Sequence, residues 1–312
     1  MRNITIVTAF FDIGRKDFDI EGLSRSNEEY LSYFEMWARM KNNLVIYTQE
    51  KMKDKILEIR KKFGLEDKTT IIVIDDIYSL EQDIYDRMKK VETNNDFKKS
   101  RYIYNAMSNK ADYCYVMLLK YWALSDAKKR GLIKDFAAWL DFGFNHGGKC
   151  YINAEEFDYE WKYDFQDKIY CFAHSNPDHL LGIDSLQFQK DCLMGAPIVL
   201  PKEKCEDLFI NCKIAMEALL MLDCIDDDQQ LLLMVYKMHK EDFAIVQSDW
   251  FMPLKEYGGS HLTTKKVEVI TRKSCRIKRL IRRIIDTRII FCNKRHFDFV
   301  NRCYERTIKY YK

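Results

Sequence analysis

Ile4-Thr5-Ile6-Val7-Thr8-Ala9-Phe10-Phe11 is a short run of apolar and β-branched residues with almost no polar interruption. Such a run predicts a strand covered on both faces, the kind found inside a parallel sheet. Outward from it, the polar stretch 12–25 reads as a long loop. Residues 27–40 then show helical spacing, with Tyr30, Phe34 and Trp37 at i, i+4 and i+7. Asn42-Asn43 turns the chain into a second strand, 44–48. An amphipathic helix over 51–63 stops at Gly64, and a third strand over 69–74 ends at Asp75-Asp76. The order β-α-β-α-β with buried strands implies helical crossovers and an α/β, doubly wound, mostly parallel sheet. Ligands of such sheets sit at the carboxyl ends of the strands.

The remainder continues the pattern. Helical spacing covers 97–110 and 111–129, with Gly131 as a stop. Further strands are expected at 136–141, 168–173, 192–200 and 242–247, and further helices at 202–222 and 226–239. Only 4 prolines and 11 glycines occur in 312 residues, which favours long regular elements. A hydrophobic share of 47% is enough for a large core and argues against disorder. The net charge of +3 hides an asymmetry. Residues 265–312 carry 16 Lys/Arg against 4 Asp/Glu, whereas residues 1–264 carry 35 against 44. The sequence is therefore divided into a folded domain over 1–262 and a basic amphipathic helical extension over 263–312. Ile277, Leu280, Ile281, Ile284 and Ile285 alternate there with Lys and Arg. The stretch 273–291 suits either an anionic membrane surface or the acidic body itself. Nothing in it matches a nucleic-acid-binding motif.

The ten cysteines include no Cys-x-x-Cys pair, so zinc-ribbon and thioredoxin readings are poor and free thiols in a reducing compartment are expected. The first apolar run is too short for a signal-peptide core, and no run approaches the ~18 apolar residues of a membrane span. A cytoplasmic location follows as the expectation, peripheral to the membrane if the tail binds one.

The chemistry concentrates in Trp139-Leu140-Asp141-Phe142-Gly143-Phe144-Asn145-His146-Gly147-Gly148. An apolar strand delivers Asp141 to the sheet's carboxyl edge, where a carboxylate can hold a divalent cation and the cation a diphosphate. The bland alternative is a turn-capping Asp141 beside a surface His146. A second feature is Asp226-Asp227-Asp228-Gln229-Gln230 ahead of an apolar helix. Helix capping explains at least one of these aspartates. Arg15 and Arg25 follow the first strand and could meet phosphates bidentately. Gly195 would allow a ligand or simply a strand bend, and Asp249-Trp250 would offer a stacking platform or a buried indole.

Thr8-Ala9-Phe10-Phe11-Asp12-Ile13-Gly14-Arg15, Trp139-Leu140-Asp141-Phe142-Gly143 and Asp228-Gln229-Gln230 together resemble the HtrL/YibB-like bacterial proteins, from the first strand to about residue 260. The resemblance implies a GT-A-like (nucleotide-diphospho-sugar transferase) fold and a glycosyltransferase. It would transfer a sugar from a nucleotide-sugar donor to a hydroxyl of a glycan or glycolipid acceptor, with a role in surface glycan biosynthesis. It implies that Thr8, Ala9, Phe11, Arg15, Asn105, Lys110 and Asp141 line the donor site. Asp228, with Asp227 second, would be the catalytic base, and Asp141 with His261 would hold Mn²⁺ or Mg²⁺. One departure matters: GT-A enzymes end this strand in Asp-x-Asp, and Gly143 stands here at the second position. The alternative is a non-catalytic binding protein with a degenerate site. An NAD-dependent oxidoreductase is disfavoured because no Gly-x-Gly-x-x-Gly follows the first strand. Zinc and serine hydrolases lack His-Glu-x-x-His and Gly-x-Ser-x-Gly.

Overall fold

The structure, a computed structural model, describes residues 2–18, 24–94, 106–188 and 192–265. Its strands are β1 (Ile4–Phe10), β2 (Leu44–Thr48), β3 (Thr69–Val73), β4 (Phe136–Trp139), β5 (Ile169–Ala173), β6 (Leu193–Pro201) and β7 (Phe243–Gln247). They form one sheet in the order β3-β2-β1-β4-β6-β5-β7. Neighbours pair in parallel except at β6, which runs against both β4 and β5. This is the expected α/β class, a mostly parallel mixed sheet flanked by helices.

The helices are α1 (Asn27–Trp37), α2 (Glu50–Lys61), α3 (Gln82–Thr93), α4 (Ala111–Lys129), α5 (Gly182–Phe188), α6 (Cys205–Met221), α7 (Asp228–Met238) and the single turn α8 (Pro253–Glu256). Local chemistry sets their ends. Ser26 and Glu29 form a reciprocal capping box at α1. After α2, Gly64 adopts the left-handed φ of 64° that ends a helix cheaply. The sheet is covered on both faces because its side chains alternate. Val7, Val45 and Tyr47 join a core with α3, α4, α6 and α7. Ile4, Ile6, Phe10, Leu44 and Ile46 join the opposite core with α1, α2 and the chain after β4. Helix α4 is buried on nearly every side, which its almost continuous apolar sequence requires. Each large aliphatic or aromatic side chain so covered contributes about 1.5–3 kcal/mol.

The helix α3 is absent from the sequence expectation, because its charged surface face outweighs the spaced Ile84, Met88 and Val91 that it buries. The helix expected over 97–110 falls mostly outside the described residues, as do Asn105 and, from residue 266 on, the basic extension. All seven described cysteines are buried and free. Among the described residues no helix is long and apolar enough to cross a membrane.

Candidate functional site

A cavity of about 460 Å³ opens where β1 and β4 end. Three elements meet there for topological reasons. Strand β4 runs parallel to β1, so both deliver their last residues to the same rim. Strand β6 is antiparallel and pairs Ile198 with Trp139, so its early residue Gly195 lies beside the segment that follows β4. The N-terminus of α7 then brings Asp228 and Gln229 into the wall.

At the centre, Lys120 of α4 lies between two carboxylates. Its Nζ is 2.6 Å from Asp228 Oδ2 and 2.9 Å from Asp141 Oδ1, with the Gly195 carbonyl at 3.5 Å. The Lys120 and Asp228 side chains are only 5% and 4% exposed, whereas Asp141 is 45% exposed and faces the cavity. A buried lysine is tolerable only when paired. Burial works against the Lys120 ammonium, but the two carboxylates outweigh it and hold it well above the ordinary lysine range. Burial pushes the Asp228 carboxyl up, Lys120 pulls against this and Asp141 adds to it. Asp141 Oδ1 also accepts the Trp139 indole N–H at 2.8 Å, leaving Oδ2 with no protein partner among the described residues. Gly195 is obligatory here, since a Cβ would lie 1.9 Å from Asp228 Oδ2. The close approach that glycine permits is therefore made by a protein carboxylate.

Two arginines supply the other charge. Arg15 lies over the rings of Tyr30 (5.6 Å) and Tyr113 (5.5 Å) and donates to the Tyr30 hydroxyl, while its Nε is buried without a partner. Arg25 also lines the cavity. Among the described residues no carboxylate pairs with either. Asp12, which also lines the cavity, is committed: although burial opposes it, Lys51, Asn27 and the Gly14 N–H hold it at about 2.

The loop after β4 is strained. Asn145 and His146 take φ of 63° and 42°, followed by Gly147 and Gly148, also left-handed. Asn145 holds this shape from inside, donating to the Tyr151 carbonyl and accepting from the N–H groups of Cys150 and Tyr151. His146 lines the cavity with its Nδ1 buried and unpartnered. Burial, aided by Arg25 and Lys149, lowers His146 to about 4, so the imidazole is neutral at physiological pH. Trp250 lies along another part of the wall, stacked on His174 at 5.2 Å.

The expected site residues thus divide. Ala9, Phe11, Arg15, Asp141 and Asp228 line the cavity together. Thr8 is buried within β1, its hydroxyl without a partner. Lys110 pairs with Glu92 at 3.6 Å and does not line the cavity. Asp227 is the N-cap of α7, accepting from Gln229 N, and also accepts from the Ser108 hydroxyl at 2.8 Å. His261 is exposed, with Nε2 at 2.9 Å from the Glu156 carbonyl oxygen, and is not a lining residue. His239, Glu241 and Asp242 do bring ligand atoms within 4.8 Å of one another, but just before β7, at the opposite sheet edge. Asp242 there already pairs with Lys204 at 2.5 Å. Sequence reasoning missed Lys120. Its signal is a lone lysine in the apolar run Leu118-Leu119-Lys120-Tyr121-Trp122-Ala123-Leu124.

A mixed sheet with acids and arginines lining a cavity at its carboxyl rim defines the α/β class of the protein. The chain belongs to the HtrL_YibB family, described as a bacterial protein of unknown function, whose model matches residues 2–257. It is 27% identical over 257 residues to "Protein HtrL" of Escherichia coli (strain K12), covering 77% of this chain and 86% of that protein. Among solved structures it is similar to mouse xyloside xylosyltransferase 1 in its apo form. That match has 12% identity, a TM-score of 0.42, and covers 82% of this chain and 93% of the other. It is also similar to the PaToxG glycosyltransferase, at 12% identity and a TM-score of 0.34, covering 76% and 69% respectively. Similarity at these levels transfers no activity.

Proposed function

We propose that this protein is a glycosyltransferase that takes a sugar from a nucleotide-diphospho-sugar and attaches it to an acceptor hydroxyl. The observation that carries this reading is the union, in one cavity at the β1/β4 rim, of two arginines without carboxylate partners and the two carboxylates Asp141 and Asp228, a third lining carboxylate, Asp12, being paired with Lys51. Arginine forks suit the oxygens of a diphosphate. Carboxylates suit the opposite end of the donor, where positive charge develops on the sugar as its bond to the diphosphate breaks.

In this scheme the nucleoside diphosphate leaves with the bonding pair against Arg15 and Arg25. The acceptor oxygen forms the new bond to the anomeric carbon, and its proton passes to a base. Asp228 is the better candidate for that base than Asp227, because it lines the cavity while Asp227 caps α7. Ala9 and Phe11 at the end of β1 offer a flat apolar wall for the nucleotide base, and Trp250 a stacking face for a sugar. A glycan or glycolipid acceptor, met at a membrane through 273–291 during surface glycan synthesis, remains an expectation of the sequence alone. The test is donor hydrolysis. The full chain is incubated with UDP-, GDP-, CDP- and ADP-sugars, and release of nucleoside diphosphate is followed. Release from one donor, lost in Asp141→Asn, is expected. No release, together with no binding of any of these nucleotides, overturns the proposal.

A further inference from the structure

The family resemblance brings the expectation of a divalent cation on Asp141, but the donor set at the cavity does not fit one. A hard divalent ion needs several oxygen ligands around a vacant centre. Here the space between the two carboxylates is already bridged by an ammonium: Lys120 Nζ is 2.9 Å from Asp141 Oδ1 and 2.6 Å from Asp228 Oδ2. Asp141 Oδ1 also accepts from the Trp139 indole. Position 143, where a second aspartate would stand, is tight: a Cβ there would lie 3.0 Å from the Tyr30 ring, and the tyrosine that would have to give way holds Arg15. His261 bonds the backbone of Glu156 and does not line the cavity. A metal entering between the carboxylates would have to expel a buried ammonium whose one further acceptor is the Gly195 carbonyl at 3.5 Å.

We infer that Lys120 is the site's built-in cation, and that donor binding needs no divalent metal. The inference rests on the nucleotide-sugar reading and specifies how that site works. Lys120 is a positioning residue. All three of its N–H groups have acceptors in the protein, so it acts through Asp141. It pins Oδ1 and leaves Oδ2 free to meet a donor hydroxyl, and it neutralises much of the carboxylate charge that would repel a diphosphate. The diphosphate is then held by Arg15 and Arg25 directly. Glycine at 195 belongs to the same device, since a side chain there would either displace Asp228 from Lys120 or shift the strand.

Calorimetric titration of the full chain with UDP, GDP, CDP and ADP, once in EDTA and once in MnCl₂, tests this. Affinity for the preferred nucleotide should agree within about twofold between the two conditions. Binding that tightens about tenfold or more with Mn²⁺ overturns the built-in cation while sparing the nucleotide-sugar reading. Binding in neither condition overturns that reading, and the inference with it. Lys120→Met supplies a second readout. With the ammonium gone, Mn²⁺ alone should raise the melting temperature of the variant and leave that of the wild type unmoved. Stabilisation of the wild type by Mn²⁺ alone contradicts the inference, and decides the matter even where the variant does not fold.

Discussion

At the scale of single residues, the site is a set of side chains whose freedom has been removed. Arg15 is held by two tyrosine rings and a hydroxyl, so little rotamer entropy is lost when it meets an anion. Arg15→Ala should weaken nucleoside diphosphate binding by about ten- to hundredfold, the worth of a charge-assisted pair, and reduce its salt dependence in the same titration. His146 makes a different prediction. Its folded value of about 4 lies below the ordinary imidazole range, so between roughly pH 6.5 and 4 the unfolded chain binds the proton more readily. The stability tied to this histidine is present above pH 6.5 and lost as pH falls toward 4. His146→Asn should flatten the melting-temperature profile in that window, and an unchanged slope would show that the imidazole titrates normally. Gly143→Asp creates an Asp-x-Asp sequence at 141–143 but sets a side chain against Tyr30. The expected result is destabilisation of about 1–3 kcal/mol by denaturant titration and no gain of Mn²⁺ dependence.

At the scale of elements, the coupling of β6 to α7 decides whether the carboxylate pair exists. Gly195→Ala places a methyl group where Asp228 Oδ2 stands, and either the strand shifts or the aspartate leaves Lys120. Breaking a buried pair costs about 3–5 kcal/mol, so urea unfolding should show a loss of that order, against near neutrality for Gly182→Ala, where a Cβ meets nothing. This coupling is also where sequence reading ran short. The run 4–11 announces a buried strand because apolar periodicity is local. Asp141 announces itself because a carboxylate ending an apolar strand is conspicuous. Gly195 reads as a bend, since the atom it makes room for lies on a helix more than thirty residues away. Lys120 reads as one polar break in a helix, since its two partners come from the segment after β4 and from the start of α7. Of the aspartates at 226–228, the sequence shows that one caps the helix, and only the turn geometry shows that the cap is Asp227 and the cavity residue Asp228.

At the scale of the whole molecule, the reversal of β6 is what assembles the site. With β6 parallel, its early residues would lie at the far edge, and no strand would bring Gly195 alongside the end of β4. The alternation of strands and helices and the two-sided core follow from patterning that the sequence displays openly. The cavity follows from long-range pairing that it does not. The most direct test of the account is a crystal structure of the full chain with the tightest-binding nucleoside diphosphate, grown in EDTA. The diphosphate should lie between Arg15 and Arg25, with Lys120 still bridging Asp141 and Asp228 and the base against Ala9 and Phe11. A nucleotide bound away from the β1/β4 rim, or a Lys120 displaced from both carboxylates, would contradict it.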